Sequence, residues 1–524
     1  MKEIIDSSAT RSIPSFVTAM TRLEDWLCVS PGRAAGIVAI VTLLVFLPAV
    51  RCDFVNWDDG HYVYHNAIVL AGLSPSGVLR AWTDVVFCNW APLAVMSYQC
   101  DASLFGPRPW GFHLTNVLLH AAAAGWLCLA LGRMTGAIGR SAAVAALFAL
   151  HPLRVESVAW IAERKDVLSV ALLMLALVAY EAYCRRPNGC RYCGVCAAVL
   201  ASLLAKATGV TFPVLLLLLD VWPLGRLRWP ATSATGRYPP RTITEVVGEK
   251  LPLFVLSAVF IFFTMVTQST AIRSRTEMPL LEARIPNAFQ SIAFYLAETI
   301  VPQGLHPCHL HPGIQGWSWP LAGVGVVATL VILGIAIRLW PMVPSWAVGW
   351  LWFFIAASPV LGIVAQQGLQ ARGDRFTYLP HVGLFLAIVW ASETFLSRRQ
   401  PWPAVRIALL LTVLSAWVAI DRHQIGHWAD SEALWQHVLA LEPGHGIAAN
   451  NLGIIRLVEG RPEDALRLFE QAARSMPQNQ RFRRNIARAT ARLNPGAAAA
   501  PDANDDHDAD SAAVLDDGRS PAGP

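Results

Sequence analysis

With 524 residues, 55% of them hydrophobic and only 15% charged, the chain is too apolar for a soluble enzyme or a disordered segment. A mean hydropathy of +0.44 and repeated long apolar runs describe a polytopic membrane protein. The net charge of +5 is modest and sits mostly in short loops, which argues against nucleic-acid binding. Lysine occurs only as Lys2, Lys165, Lys206 and Lys250, so arginine carries most of the positive charge, a bias that points to a GC-rich bacterial genome.

Taken in order, residues 1–33 are mixed in charge and form a cytoplasmic N-terminal segment. The first apolar run, 34–50, has no small-residue cleavage site after it and reads as an uncleaved span. Ten more candidate spans follow at 113–132, 139–153, 166–184, 192–206, 208–223, 251–267, 319–339, 345–362, 378–396 and 403–420. Segment 287–303 is apolar but carries Gln290, Glu298 and Pro302, and is expected as an interfacial or re-entrant helix. Arginines in alternate short loops, such as Arg185, Arg186, Arg398 and Arg399, place the N-terminus inside. Loops 51–112, 154–165, 268–318 and 363–377 then face outward.

The first outward loop begins Asn56-Trp57-Asp58-Asp59-Gly60-His61. Two ionisable carboxylates beside hydrocarbon are costly, which makes Asp58 and Asp59 a functional candidate with His61 beside them. A solvated Asp-Gly turn is the competing reading. Trp57, Trp82, Trp90 and Trp110 suit the headgroup region. His113, Asn116 and His120 lie at helical spacing, with helix packing expected for His120.

The second outward loop runs from His151 through Arg154, Glu156, Trp160 and Glu163 to Arg164 and Lys165. Glu156 and Glu163 are expected on one helix face, and the cations at a membrane edge suit a lipid-linked phosphate. Ordinary snorkelling is the alternative. Cys190, Cys193 and Cys196 are expected to pack as small residues on a helix rather than hold a metal. His306, His309 and His311 could bind a metal. Intervening prolines and the lack of a neighbouring carboxylate in sequence lead us to expect no metal there. Arg372, Asp374, Arg375 and Tyr378 lie before the span at 378–396, with Tyr378 as an interfacial anchor. A disulfide among Cys52, Cys88, Cys100 and Cys308 stays open.

After Ile420 the chain turns amphipathic. Pro443 and Pro477 are 34 residues apart, with Asn451-Leu452-Gly453, Gly460, Ala465, Phe469 and Ala472 between them. That is the tetratricopeptide-repeat (TPR) pattern, giving one full repeat and two half-repeats within 427–494. The tail, 495–524, is acidic and expected to be disordered.

Together, Asn56-Trp57-Asp58-Asp59, the stretch His151 to Asp166, Asp374-Arg375-Phe376-Thr377-Tyr378-Leu379-Pro380 and the C-terminal TPR pattern resemble one family. It is the transmembrane and TPR repeat-containing O-mannosyltransferase-like family of the GT-C glycosyltransferase superfamily. The resemblance implies an all-α, polytopic GT-C fold of about eleven transmembrane helices over 34–420, with a short TPR domain over 427–494. It further implies an inverting transferase that moves a sugar, mannose in eukaryotic relatives, from a polyprenyl-phosphate donor to a hydroxyl such as protein Ser or Thr. Asp58 or Asp59 is then the base, and Arg154, Arg164, Lys165, Arg372 and Arg375 are the donor-phosphate ligands. His61, His151, Glu156, Asp374 and Tyr378 are further candidates. No cofactor or divalent metal is expected. The partners are the lipid-linked sugar, membrane lipid and an acceptor protein or glycan docked by the TPR, outside a bacterial cytoplasmic membrane. A non-catalytic TPR scaffold recruiting envelope proteins is the alternative from another class.

Overall fold

The computed structural model describes residues 30–87, 89–227, 237–273, 281–311, 318–363, 370–396 and 403–494. Most of the N-terminal segment, the acidic tail, Cys88, Arg398 and Arg399 lie outside the described residues.

The described chain is almost wholly helical, as expected. The one sheet among the described residues pairs β1, His309–Leu310, antiparallel with β2, Gln370–Arg372. His309 faces Arg372 and Leu310 faces Gln370 across a bulge, which ties the third outward loop to the fourth. Helix starts follow local chemistry. Proline opens Pro31–Phe46, Pro92–Phe105, Pro109–Thr135 and Pro344–Ala357, where its missing N–H costs nothing.

Five described helical segments are long and apolar enough to cross a membrane: Pro31–Arg51, Pro109–Thr135, Ile161–Arg185, Ile243–Thr267 and Trp319–Leu339. Ile138–Ala149 and Pro152–Ala159 make a sixth if their 59° bend is one broken span. The chain is a multi-pass membrane protein. The eleven spans read from the sequence do not all appear as full-length helices. The two runs at 192–206 and 208–223 become Gly189–Ala205, a 3-10 turn Ala207–Thr211 and Phe212–Val221, with Lys206 extended between them. Pro344–Ala357 has only 14 residues. The 287–303 stretch lies in one helix, Leu281–Ile300, followed by a loop.

Burial sorts the helices. Of the most apolar window of Ile161–Arg185, 72% is buried, against 17% for Trp319–Leu339. The latter exposes Val324, Val327, Leu330 and Val331, a face suited to hydrocarbon rather than water. Close helix contact depends on small residues. A Cβ on Gly349 would come within 2.4 Å of the Gly383 carbonyl oxygen, and one on Gly383 within 2.4 Å of the Gly349 oxygen, so Pro344–Ala357 and Pro380–Leu396 touch backbone to backbone.

The C-terminal helices are Ser431–Leu441, Gly446–Val458, Pro462–Ser475 and Gln480–Leu493. Leu434, Trp435 and Val438 of the first join the main core below, while Leu457, Ala465, Phe469 and Ala489 form a cluster of their own. The boundary near residue 427 is thus a packed seam.

Candidate active site

The first loop is fixed from both sides. Asp53 N–H donates to the Ala429 carbonyl at 2.8 Å, Asn56 N–H to Ser431 Oγ at 2.9 Å, and Trp435 Nε1–H to Asn56 Oδ1 at 2.5 Å. Trp57 meets the Trp435 ring edge-on at 5.3 Å, and Trp160 stacks on Trp428 at 5.8 Å. Trp57 is therefore a docking residue for the C-terminal helices, not a headgroup anchor. A π-helical turn, Gly60–Tyr64, follows the two aspartates.

The two aspartates are not equivalent. Asp59 is buried, and its carboxylate accepts from Val55 N–H at 3.0 Å and Ala162 N–H at 2.9 Å. It pins the first loop to the second. Burial pushes its pKa up to about 7, against those two donors. Asp58 is half-buried, and among the described residues no donor is hydrogen-bonded to its carboxylate. Burial raises its pKa, opposed first by Lys165 and then, past the like charge of Glu163, by His61 and Arg375. His61 stacks on Phe87 at 4.3 Å.

The second loop does not form the single helix expected of it. A 3-10 turn Pro152–Arg154, a short helix Val155–Ala159 and a 3-10 turn Ile161–Glu163 break at Trp160. Glu156 and Glu163 nevertheless converge, because both reach Arg375. Glu156 accepts from Arg375 Nη1 and from its backbone N–H at 3.0 Å, and Glu163 Oε1 lies 3.5 Å from Arg375 Nε. Lys206, read only as the end of a span, bridges Glu163 at 3.2 Å and Asp166 at 2.8 Å. Its extended conformation between two helical segments brings it there, and only its scarcity as one of four lysines could have drawn attention to it.

The five candidate cations separate by what they already hold. Each nitrogen of Arg164 donates: Nε to Asn116 at 2.6 Å, Nη2 to the Phe112 carbonyl at 2.5 Å, and Nη1 to Asp101. Fully buried, it is a strut between loops, which corrects its reading as a phosphate ligand. Arg154, also fully buried, donates to Thr377 at 2.5 Å and contacts His381 Nδ1 at 3.0 Å. It is likewise set back from any open surface. Arg375 is tied to Glu156, Glu163 and Gln370. Lys165 lies 3.8 Å from the Tyr62 ring centroid, in the field of Asp58 and Glu163.

Arg372 lines a cavity of about 580 Å³, with its guanidinium 3.3 Å from Glu298 and over the Phe294 ring at 3.6 Å. Ala297, Ile300 and Val301 give the cavity an apolar side, and Ile300 and Val301 are exposed. Asp374 is buried next to this wall, its pKa raised by burial and by Glu156 and Glu298.

Two further candidates are structural. His151 caps its turn, accepting from Leu153 N–H at 3.2 Å, and its Nε2 contacts the Thr299 carbonyl at 3.1 Å. Tyr378 is buried, its hydroxyl 2.5 Å from His120 Nδ1, which corrects its reading as an interfacial anchor. His120 also reaches the Ala149 carbonyl at 3.0 Å, so it does pack helices. Cys52, Cys100 and Cys308 are free thiols, and Cys190 and Cys193 are exposed. One assumption about the histidines fails: Glu442, from the end of the first C-terminal helix, does bring a carboxylate to them.

No protein-family model matches the chain. Curated relatives do. It is 33% identical over 202 residues to the protein O-mannosyl-transferase Tmtc1 of Drosophila melanogaster, a match covering 37% of this chain and 23% of the relative. To the protein O-mannosyl-transferase TMTC2 of Homo sapiens it is 34% identical over 208 residues, covering 36% and 24%. To Tmtc3 of Drosophila melanogaster it is 22% identical over 463 residues, covering 74% and 48%. The chain is homologous to these O-mannosyl-transferases. The alignments span only about a quarter of the length of the first relatives it matches. Among solved structures, ArnT from Cupriavidus metallidurans bound to undecaprenyl phosphate aligns at 14% identity and a TM-score of 0.36, over 87% of this chain and 76% of that one. So slight a likeness carries no argument about mechanism.

Proposed function

We propose that the chain is a GT-C-type membrane glycosyltransferase that moves a sugar from a polyprenyl-phosphate donor to a hydroxyl acceptor at the extracytoplasmic face. The observation that carries this reading is the contrast inside the aspartate pair. Asp59 is consumed by backbone donors, whereas Asp58 is only half-buried and no described residue donates a hydrogen bond to its carboxylate, which lies beside Lys165. In the proposed step, the acceptor oxygen attacks the anomeric carbon from the face opposite the phosphate as its proton passes to Asp58. The bond from that carbon to the phosphate oxygen breaks, the anomeric configuration inverts, and polyprenyl phosphate leaves with the electron pair. In this reading Lys165, beside Asp58, and Arg372, on the cavity wall, stabilise that leaving charge. The apolar side of the Arg372 cavity suits a polyprenyl chain, and the C-terminal helices, read as TPRs, dock the acceptor. The homology to O-mannosyl-transferases supports mannose and a protein hydroxyl.

The scaffold reading keeps one observation in its favour: Arg375 and Lys206 are already neutralised by carboxylates, as in a purely structural network. Mass spectrometry of envelope proteins and glycans decides between them. Glycans lost in a deletion strain should return with the wild-type gene and stay absent with Asp58→Asn inserted at normal levels. Full restoration by Asp58→Asn sinks the transferase reading.

A further inference from the structure

Outside the aspartate site, one cluster has donors that nothing in the fold uses. His306 and His309, from the third outward loop and β1, meet Glu442 from the far end of the sequence. One ligand atom from each of the three residues lies within 4.8 Å of the other two. The two imidazole rings are 3.8 Å apart, and His306 Nε2 is 3.3 Å from Glu442 Oε1. Two ligand atoms on a tetrahedral zinc with bonds of about 2.0–2.1 Å are also about 3.3 Å apart.

The unsatisfied atoms point the same way. His306 Nδ1, His309 Nε2 and Glu442 Oε2 are buried without a hydrogen-bond partner, although His306 and His309 are both only 3% exposed. Orphaned polar groups in so buried a place are costly unless something compensates them. His309 Nε2 also lies 3.6 Å from Asp374 Oδ1, a buried carboxylate oxygen that itself has no hydrogen-bond partner, so Asp374 stands beside the ligand set. The neighbouring His445 is committed elsewhere: its Nδ1 accepts from Ala448 N–H and its Nε2 contacts the Cys308 carbonyl at 2.7 Å.

We propose that His306, His309 and Glu442 form a zinc site that clasps the third outward loop to the C-terminal helices. Two imidazoles and one carboxylate suit zinc far better than magnesium or calcium, which take oxygen ligands. Three protein ligands leave one coordination position, and all three residues line the cavity, so water or a small anion completes the tetrahedron from there. Glu442, with 35% of its side chain exposed, has room to close the remaining gap. The clasp stands independently of glycosyl transfer, and its test reads metal rather than sugar.

Full-length protein in detergent is stripped with chelator, reloaded with Zn2+ alone and assayed by mass spectrometry of the metal. To keep the exposed Cys190 and Cys193 and the half-buried Cys196 out of the measurement, Cys190→Ser, Cys193→Ser and Cys196→Ser are introduced throughout. One zinc per chain is expected in this background. His309→Ala and Glu442→Gln should abolish it, and Asp374→Asn should weaken it by about 10–100-fold. Glu442→Gln keeps shape and a hydrogen-bonding oxygen, so a monodisperse Glu442→Gln protein that has lost zinc excludes misfolding as the cause. Co2+ should give the absorption of a tetrahedral site without thiolate bands. Equal zinc in the background protein, His309→Ala and Glu442→Gln, or no zinc in any of them, overturns the proposal.

Discussion

Two of the buried charge clusters among the described residues are built on opposite plans. Around Tyr180, Asp220 accepts from the Tyr180 hydroxyl at 2.7 and 2.8 Å, from Arg226 at 2.9 Å and from Lys250 at 2.5 Å. Arg226 also holds Glu249 through two contacts of 2.8 Å. Two cations meet two carboxylates, and Arg226 Nε alone of the network's side-chain atoms is left buried without a partner. Around Asp58 the charges come from more segments, and among the described residues none donates a hydrogen bond to its carboxylate; in a separate cluster His306, His309 and Glu442 leave atoms over. Buried charge is tolerated in both regions, but the first leaves no carboxylate oxygen over, whereas the second keeps acceptor capacity for something that is not protein.

The comparison can be broken by mutation. The largest effect is expected at Asp58: Asp58→Asn should lower sugar transfer about 10²–10⁴-fold while insertion and thermal stability hold, as checked by transfer assay and thermal unfolding of the purified protein. In the Tyr180 network the readouts reverse. Asp220→Asn should cost about 3–5 kcal/mol of stability by leaving Arg226 and Lys250 short of a partner, with transfer per folded molecule retained.

Asp59 sharpens the contrast through pH. Its folded pKa of about 7 lies above the ordinary carboxylate value, so the folded state binds the proton more tightly. Its contribution is fully present below about pH 4 and is lost as pH rises through about 7, a change on the order of 4 kcal/mol. Unfolding midpoints measured across that window should fall with pH in the wild type and flatten in Asp59→Asn. Stability that rises over the same interval, with the slope missing in Asp59→Asn, would mean that the carboxylate is held ionised. The smallest effect is expected at the seam. Asn56→Ala leaves Trp435 Nε1 without its acceptor and should cost about 1–3 kcal/mol, seen as earlier proteolytic release of residues 427–494.

Much of this was legible in the chain. Apolar runs are local, so the membrane class and the all-helical fold follow from composition and periodicity. Span counting was less successful, because short runs such as 208–223 carry apolarity without enough continuous helix. The motif from His151 to Asp166 was found as a charged stretch, but its geometry was read as one helix, since no local signal marks the break at Trp160. Arginine type alone likewise could not separate Arg164, saturated by Asp101 and Asn116, from Arg372 on a cavity wall.

The sequence by itself determined that this is a membrane-embedded helical protein, related to O-mannosyl-transferases, with acidic and basic residues gathered in the loops beside its spans. Only the tertiary structure decided which of those charges are spent. Asp59 is occupied by an amide about a hundred residues away, Asp58 is not, and Glu442 reaches His306 across 136 residues of chain. The physical reason is that hydrophobicity acts through composition along a segment, whereas hydrogen-bond saturation depends on which distant backbone groups folding delivers to each side chain.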